Sequence, residues 1–156
     1  METASVSVIR KELKNLPPEK LQELILRLSK FKKENKELLS YLLFEAYDEE
    51  HYVRQVKEEI DEQFFSLNRS SMYLAKKTLR KVLRTTNKYI RFSGKKETEV
   101  ELLLYFCQKM KKSRLNYRHN RVVFNLYLNQ IKRINKAISQ LHEDLQFDYM
   151  EELENL

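Results

Sequence analysis

Apolar residues recur along this chain at intervals of three and four, the spacing that lines up one face of an amphipathic helix. Ser5 to Lys14 predicts a short first helix, interrupted by Asn15, Leu16 and the pair Pro17 and Pro18. The prolines suit the first turn of a second helix, because a residue there has no intrahelical N–H bond to lose. Leu21, Leu24, Ile25 and Leu28 form its apolar stripe, and Phe31 lies near its end. After a turn over residues 32–35, a third and unusually apolar helix carries Leu38, Leu39, Leu42, Leu43 and Ala46. Asp48 followed by Glu49 and Glu50 has the form of an N-cap and an acidic first turn. The fourth helix it opens runs to about Leu67, with Tyr52, Val53, Val56, Ile60, Phe64 and Leu67 on the core face.

Residues 68–71 break the pattern, and either serine there can cap a fifth helix. That helix turns Met72, Ala75, Leu79, Val82, Leu83, Thr86 and Ile90 inward and stops at Ser93 and Gly94, the chain's only glycine. A sixth helix from about Glu97 has Val100, Leu103, Leu104, Cys107 and Met110 on one face. Leu102 and Phe106 widen that face until the helix needs cover from two sides, which makes it the expected centre of the core. Beyond a basic turn over 111–120, a long seventh helix carries Phe124 and then Tyr127, Ile131, Ile134, Ile138, Leu141 and Leu145 at coiled-coil spacing. That seam is a candidate surface for internal packing or for a second copy.

The expected fold is therefore all-α, about six to seven antiparallel helices in a multi-helix bundle or a short stack of helical hairpins. At 156 residues the chain has the length of one ordinary domain, residues 1–156, able to bury a core without disulfides or metals. Its acidic end, 143–156, is open to fraying. The match between Glu37-Leu38-Leu39-Ser40-Tyr41 and Glu101-Leu102-Leu103-Leu104-Tyr105 hints at duplication, favouring the stack without establishing it.

Composition agrees with helix: 1 Gly and 2 Pro are too few for the turns of a sheet protein. Hydrophobic residues make up 42% of the chain, enough to fold despite 34% charged residues. The lone Cys107 cannot form an internal disulfide, which fits a reducing compartment. No stretch approaches the roughly 20 apolar residues of a membrane span, and residues 1–9 lack the pattern of a signal peptide. A cytoplasmic protein without membrane association is expected.

Three segments, Arg10-Lys11-Glu12-Leu13-Lys14-Asn15-Leu16, Leu21-Gln22-Glu23-Leu24-Ile25 and Asn35-Lys36-Glu37-Leu38-Leu39, resemble the opening of a group of small bacterial all-helical proteins of unknown function. The stretch from Glu99 to Phe106 is similar to a later helix of that group. The resemblance covers about half the chain and implies no activity and no site.

Charge changes the picture most. Residues 1–68 hold 11 basic and 14 acidic side chains, 69–142 hold 19 and 3, and 143–156 hold 0 and 6. Between Arg69 and Lys96 there is no acid, and Lys77, Lys81, Arg84, Lys88, Arg91 and Lys95 step by four and three into one stripe, about 27 Å long if helical. Such a stripe can track phosphates. The following turn adds Arg114, Arg118 and Arg121, with Tyr117 as a ring able to stack on a base. The competing reading is a solubilising outer face, or a basic face neutralised by the acidic segments 48–62 and 143–154.

Catalytic and metal chemistry finds little support. His51, His119 and His142 lie far apart, and although Asp48 and His51 share a helix face, the Glu-x-x-His pairs of a di-iron bundle are missing. One glycine cannot build a phosphate-cradling loop, and a thiol in an apolar run is a blunted nucleophile. The sequence thus predicts a non-enzymatic helical scaffold, without cofactor, metal or small-molecule substrate, that binds another protein or itself as a homodimer. Nucleic-acid or polyanion binding through residues 69–142 is the alternative.

Overall fold

The computed structural model describes residues 2–156. Among them are eight α-helices and no strand: α1 (Val6–Lys14), α2 (Pro18–Phe31), α3 (Lys33–Ser40), α4 (Glu49–Phe65), α5 (Met72–Ser93), α6 (Lys96–Lys112), α7 (Arg121–Ile138) and α8 (Glu143–Glu154). The all-helical class is as expected, but the count exceeds six to seven. The extra helix arises where the long seventh helix of the pattern ends at Ile138 and the chain restarts at His142, whose ring nitrogen accepts from the Asp144 N–H at 3.4 Å. Glu143 and Asp144 then place negative charge on the positive end of α8. Similarly, the third helix does not run to Ala46 as an α-helix, because Tyr41–Glu45 forms a π turn.

The chain reads as one domain in its pattern, while its contacts fall into two compact units, one up to Phe44 and one from Glu45 to Leu156. In the N-terminal unit Ser5 caps α1, accepting from the Val8 N–H at 3.4 Å, and Pro17 and Pro18 open α2. α2 packs on α3, and the Asn35 side chain donates to the Leu28 carbonyl at 2.8 Å, closing this hairpin. None of the three helices buries a single side chain.

The C-terminal unit is a bundle around α6. Each helix start in it except that of α6 has a side-chain cap: Asp48 accepts from His51 N–H at 3.0 Å for α4, Ser71 from Leu74 N–H at 3.3 Å for α5, Asn120 from Val123 N–H at 3.1 Å for α7, and His142 for α8. Asp48 is thus a cap, as its place before two glutamates predicts. α5 ends at Gly94, whose φ of 69° is left-handed and whose N–H reaches the Ile90 carbonyl at 2.9 Å.

Central α6 packs on α4, α5, α7 and α8 and buries Val100, Leu102, Leu103, Leu104, Phe106 and Cys107, so its apolar face is covered from several sides. α4 touches α5, α7 touches α8, and Arg133 of α7 donates to Asn87 of α5 at 2.7 Å, so four helices ring α6. The acidic C-terminal end is docked: Tyr149 is buried, and its hydroxyl meets Glu97 and Glu101 of α6, each at 3.3 Å.

Candidate functional site

The basic stripe is the outer face of α5. Ala75, Leu79, Val82, Thr86 and Ile90 are buried on one side of this helix, and Lys77, Lys81, Arg84, Lys88 and Arg91 occupy the other at the same three-and-four steps, with Lys95 just past its end. Burial of the first row therefore forces the second outward. Lys77, Lys81 and Arg84 are exposed, and none of them pairs with an acid among the described residues. Lys88 differs: it is half-buried, with its ammonium 4.5 Å from the centre of the Tyr89 ring. Lys95 is tied to Glu49 at 3.0 Å.

The turn after α6 divides. Arg114, which adopts a φ of 57°, and Arg118 and Arg121 are exposed. Tyr117, expected to offer a ring to a base, is only 5% exposed and packs against Tyr127 with centroids 5.3 Å apart. Its short 3₁₀ turn, Tyr117–His119, directs the ring inward, so this aromatic belongs to the core.

The six seam positions do not form one face. Ile134 and Ile138 are buried by the chain itself, where α7 lies on α6, and Tyr127 and Ile131 are half-buried on the same helix. Leu141 falls in the turn after α7, and Leu145 is on α8. The break at Ser139 takes the last two positions off the helix that the spacing assumed.

Several residues that matter here carry no local signal. Glu49 accepts from the Ser93 hydroxyl, from Thr98 Oγ1 at 2.6 Å and from Lys95, binding the start of α4 to the α5–α6 junction. Lys57 meets Glu101 at 2.9 Å, and Lys109 meets Asp61 at 2.6 Å. Asp61 also accepts from Tyr105 at 2.8 Å. Burial and the Asp61 charge push the Tyr105 phenol up, while the hydrogen bond to Asp61 raises Lys109. A cleft of about 590 Å³ beside this network is lined by Glu49, Arg54, Lys57, Lys95, Glu97 and Glu101. Its carboxylates at 49 and 101 are held by partners 44 to 49 positions away, so the cleft reads first as the brace between helices.

A second cleft of about 430 Å³ lies between Asn87, Arg91, Lys95, Lys96, Glu99 and Arg133. Glu99 accepts from Arg133 at 3.0 Å and Lys96 at 2.9 Å. Burial pushes its carboxyl up, but these two hydrogen bonds and cations outweigh burial and hold it below the usual carboxylate value. Among the described residues no cluster of three or more His, Cys, Asp or Glu side chains can hold a metal ion, and no helix is long and apolar enough to cross a membrane.

In the N-terminal unit, α2 and α3 line an apolar groove of about 300 Å³ with Ile25, Leu28, Leu38, Leu39 and Leu42. The sequence pattern reads these residues as apolar stripes of the second and third helices, and the structure leaves the stripes open: Leu28 is 60% exposed, and Phe31, near the end of α2, 74%.

Compared with family models, curated proteins and solved structures, the chain matches none, and nothing there bears on the resemblance to small bacterial helical proteins.

Cys107 is fully buried on α6, and burial pushes its thiol up to about 12. In native protein near neutral pH it is expected to stay unlabelled by a thiol-reactive chromogen, reacting only in denaturant. Rapid native labelling would show that α6 is exposed by local opening.

Proposed function

We propose that the protein is a non-enzymatic helical scaffold that self-associates through its N-terminal unit. The observation that carries this reading is that α1, α2 and α3 bury no side chain while leaving Val6, Ile9, Ile25, Leu28 and Phe31 exposed, with Leu42 exposed in the π turn that follows α3. The apolar groove lined by Ile25, Leu28, Leu38, Leu39 and Leu42 marks an interaction site, since single scattered apolar residues would not line one groove.

A second copy is the occupant this surface fits best. The unit is about the length below which helices need disulfides, metals or oligomerisation to stay folded, and it has no cysteine. Two α2–α3 hairpins placed face to face make a four-helix bundle, closing both apolar grooves with one symmetric interface. The polar sides carry both signs, as in the pairs Lys20 with Glu23 and Lys33 with Glu37, so two copies do not repel each other. The seam on α7 is less suited to the task, because Ile134 and Ile138 already pack within their own chain.

Sedimentation equilibrium of the full chain at micromolar concentrations is expected to give a dimer. Leu28→Glu combined with Leu42→Glu puts charge into the groove and is expected to shift the species to monomer, with the helical signal of the C-terminal unit retained. A wild-type chain that stays monomeric at high concentration overturns the reading.

A further inference from the structure

We propose that the outer face of α5 binds the phosphate backbone of double-stranded nucleic acid, without regard to sequence. This goes beyond self-association and rests on different residues.

Charge in the C-terminal unit is sorted by helix. α5 carries seven cations and α7 four, neither with any acid, while α8 carries six acids and no cation and α4 six acids against two cations. In the ring about α6, α4 and α8 flank one cleft, where Lys57 faces Tyr149 and Glu152, and α5 and α7 are joined at Asn87 and Arg133. One half of the bundle is therefore acidic and the other basic. A polyanion approaching this field is turned toward the basic half before contact.

The pairing pattern separates structural cations from available ones. Lys57, Lys95, Lys96, Lys109 and Arg133 each hold a carboxylate and brace the helices. Lys77, Lys81 and Arg84 do not, are exposed, and follow one another along the helix at about 5 Å per step. Cations on a straight rod meet phosphates held at fixed spacing, as a duplex presents them. A single strand would call for rings on which bases stack. The exposed aromatic on this helix is Tyr73 at its first turn, with Tyr117 in the core and Tyr89 half-buried. Nor does the Lys77–Arg84 row hold the large apolar anchor around which a protein interface is built.

The test is fluorescence anisotropy of the full chain with labelled random-sequence DNA and RNA duplexes and the matching single strands, from low to physiological salt. Duplex binding is expected, with log Kobs falling against log salt at a slope of about −3 for three to four neutralised phosphates. K77E/K81E/R84E is expected to weaken binding at least tenfold at low salt, with an unchanged helical signal and thermal midpoint. Should the reversal disturb folding, K77Q/K81Q/R84Q replaces it and is expected to flatten the slope by about 3 units. No duplex binding at low salt, binding unchanged in the folded triple variant, or tighter binding of single strands each overturns the proposal. So does an oligomer of the wild type that dissolves in the triple variant, which would assign this face to the acidic half of a second copy.

Discussion

Phe106→Ala is expected to lower the stability of the C-terminal unit by about 3–5 kcal/mol, the usual cost of emptying a ring-sized space in a core. Phe106 has no exposed surface, sits midway along the central helix and packs against Phe64 with centroids 5.7 Å apart. Neighbouring helices cannot collapse into the gap, because α4, α5, α7 and α8 already hold one another around α6. Since a domain is stable by about 5–15 kcal/mol in all, the variant should sit near the edge of unfolding. Phe65 supplies the control: it neighbours Phe64 on α4 but is 95% exposed, so Phe65→Ala should change stability by no more than about 0.5 kcal/mol. Urea unfolding followed by helical circular dichroism measures both. A loss under about 1 kcal/mol for Phe106→Ala would mean that α6 is not the centre of the core.

This contrast shows where the sequence was readable. Phe64 and Phe65 are chemically identical, and helical spacing with Val53, Val56 and Ile60 alone assigns the first to the core. The same arithmetic places α6 at the centre, the starts at Asp48 and at one of Ser70 and Ser71, of which Ser71 is the cap, and the stop at Gly94, because caps and periodicity are local properties. It failed at Ser139, where Ile138, Leu141 and Leu145 keep their rhythm across a break in the helix. The acidic pair Glu143 and Asp144 was the available sign of a new first turn. The π turn at Tyr41–Glu45 left no trace, since it alters the backbone without altering the spacing of Leu38, Leu39 and Leu42.

The site was less legible than the fold. Periodicity names a face as apolar but does not say what covers it, so Ile25 and Leu28 form a stripe in the sequence and stand exposed in the structure. Tyr117 is the reverse case, a ring in a basic turn that a short 3₁₀ turn carries inward. Counting charge found the stripe on α5, because a helix without acids is visible in composition. Whether those cations were neutralised depended on which helices are neighbours. Glu49, Glu99 and Glu101 each meet a partner 34 to 49 positions away, and no local rule reaches that far.

Acid is expected to weaken the C-terminal unit through Glu99, and Glu99→Gln to remove that dependence. The carboxylate accepts from both Arg133 and Lys96, and its pKa lies below the ordinary value of 4.5 despite burial. Its folded form thus holds a proton less tightly than the unfolded chain does. Its contribution is complete above pH 4.5 and drains away as pH falls through the depressed folded value. Glutamine keeps the shape and one acceptor but not the charge, which leaves Arg133 and Lys96 facing each other across the α5–α6–α7 junction. At neutral pH the variant should lose about 1 kcal/mol, between the worth of an exposed pair and that of a buried charged hydrogen bond. The gap between the two proteins should close as pH drops below 4.5, where the wild-type carboxyl also becomes neutral. Urea midpoints of both chains at neutral pH and in acid measure this, and a gap that persists at low pH would assign the loss to packing rather than charge. The outcome also bears on α5. If Glu99 is what holds Arg133 inward, Glu99→Gln frees a cation on the basic half of the bundle, and duplex binding should tighten in the variant while stability falls.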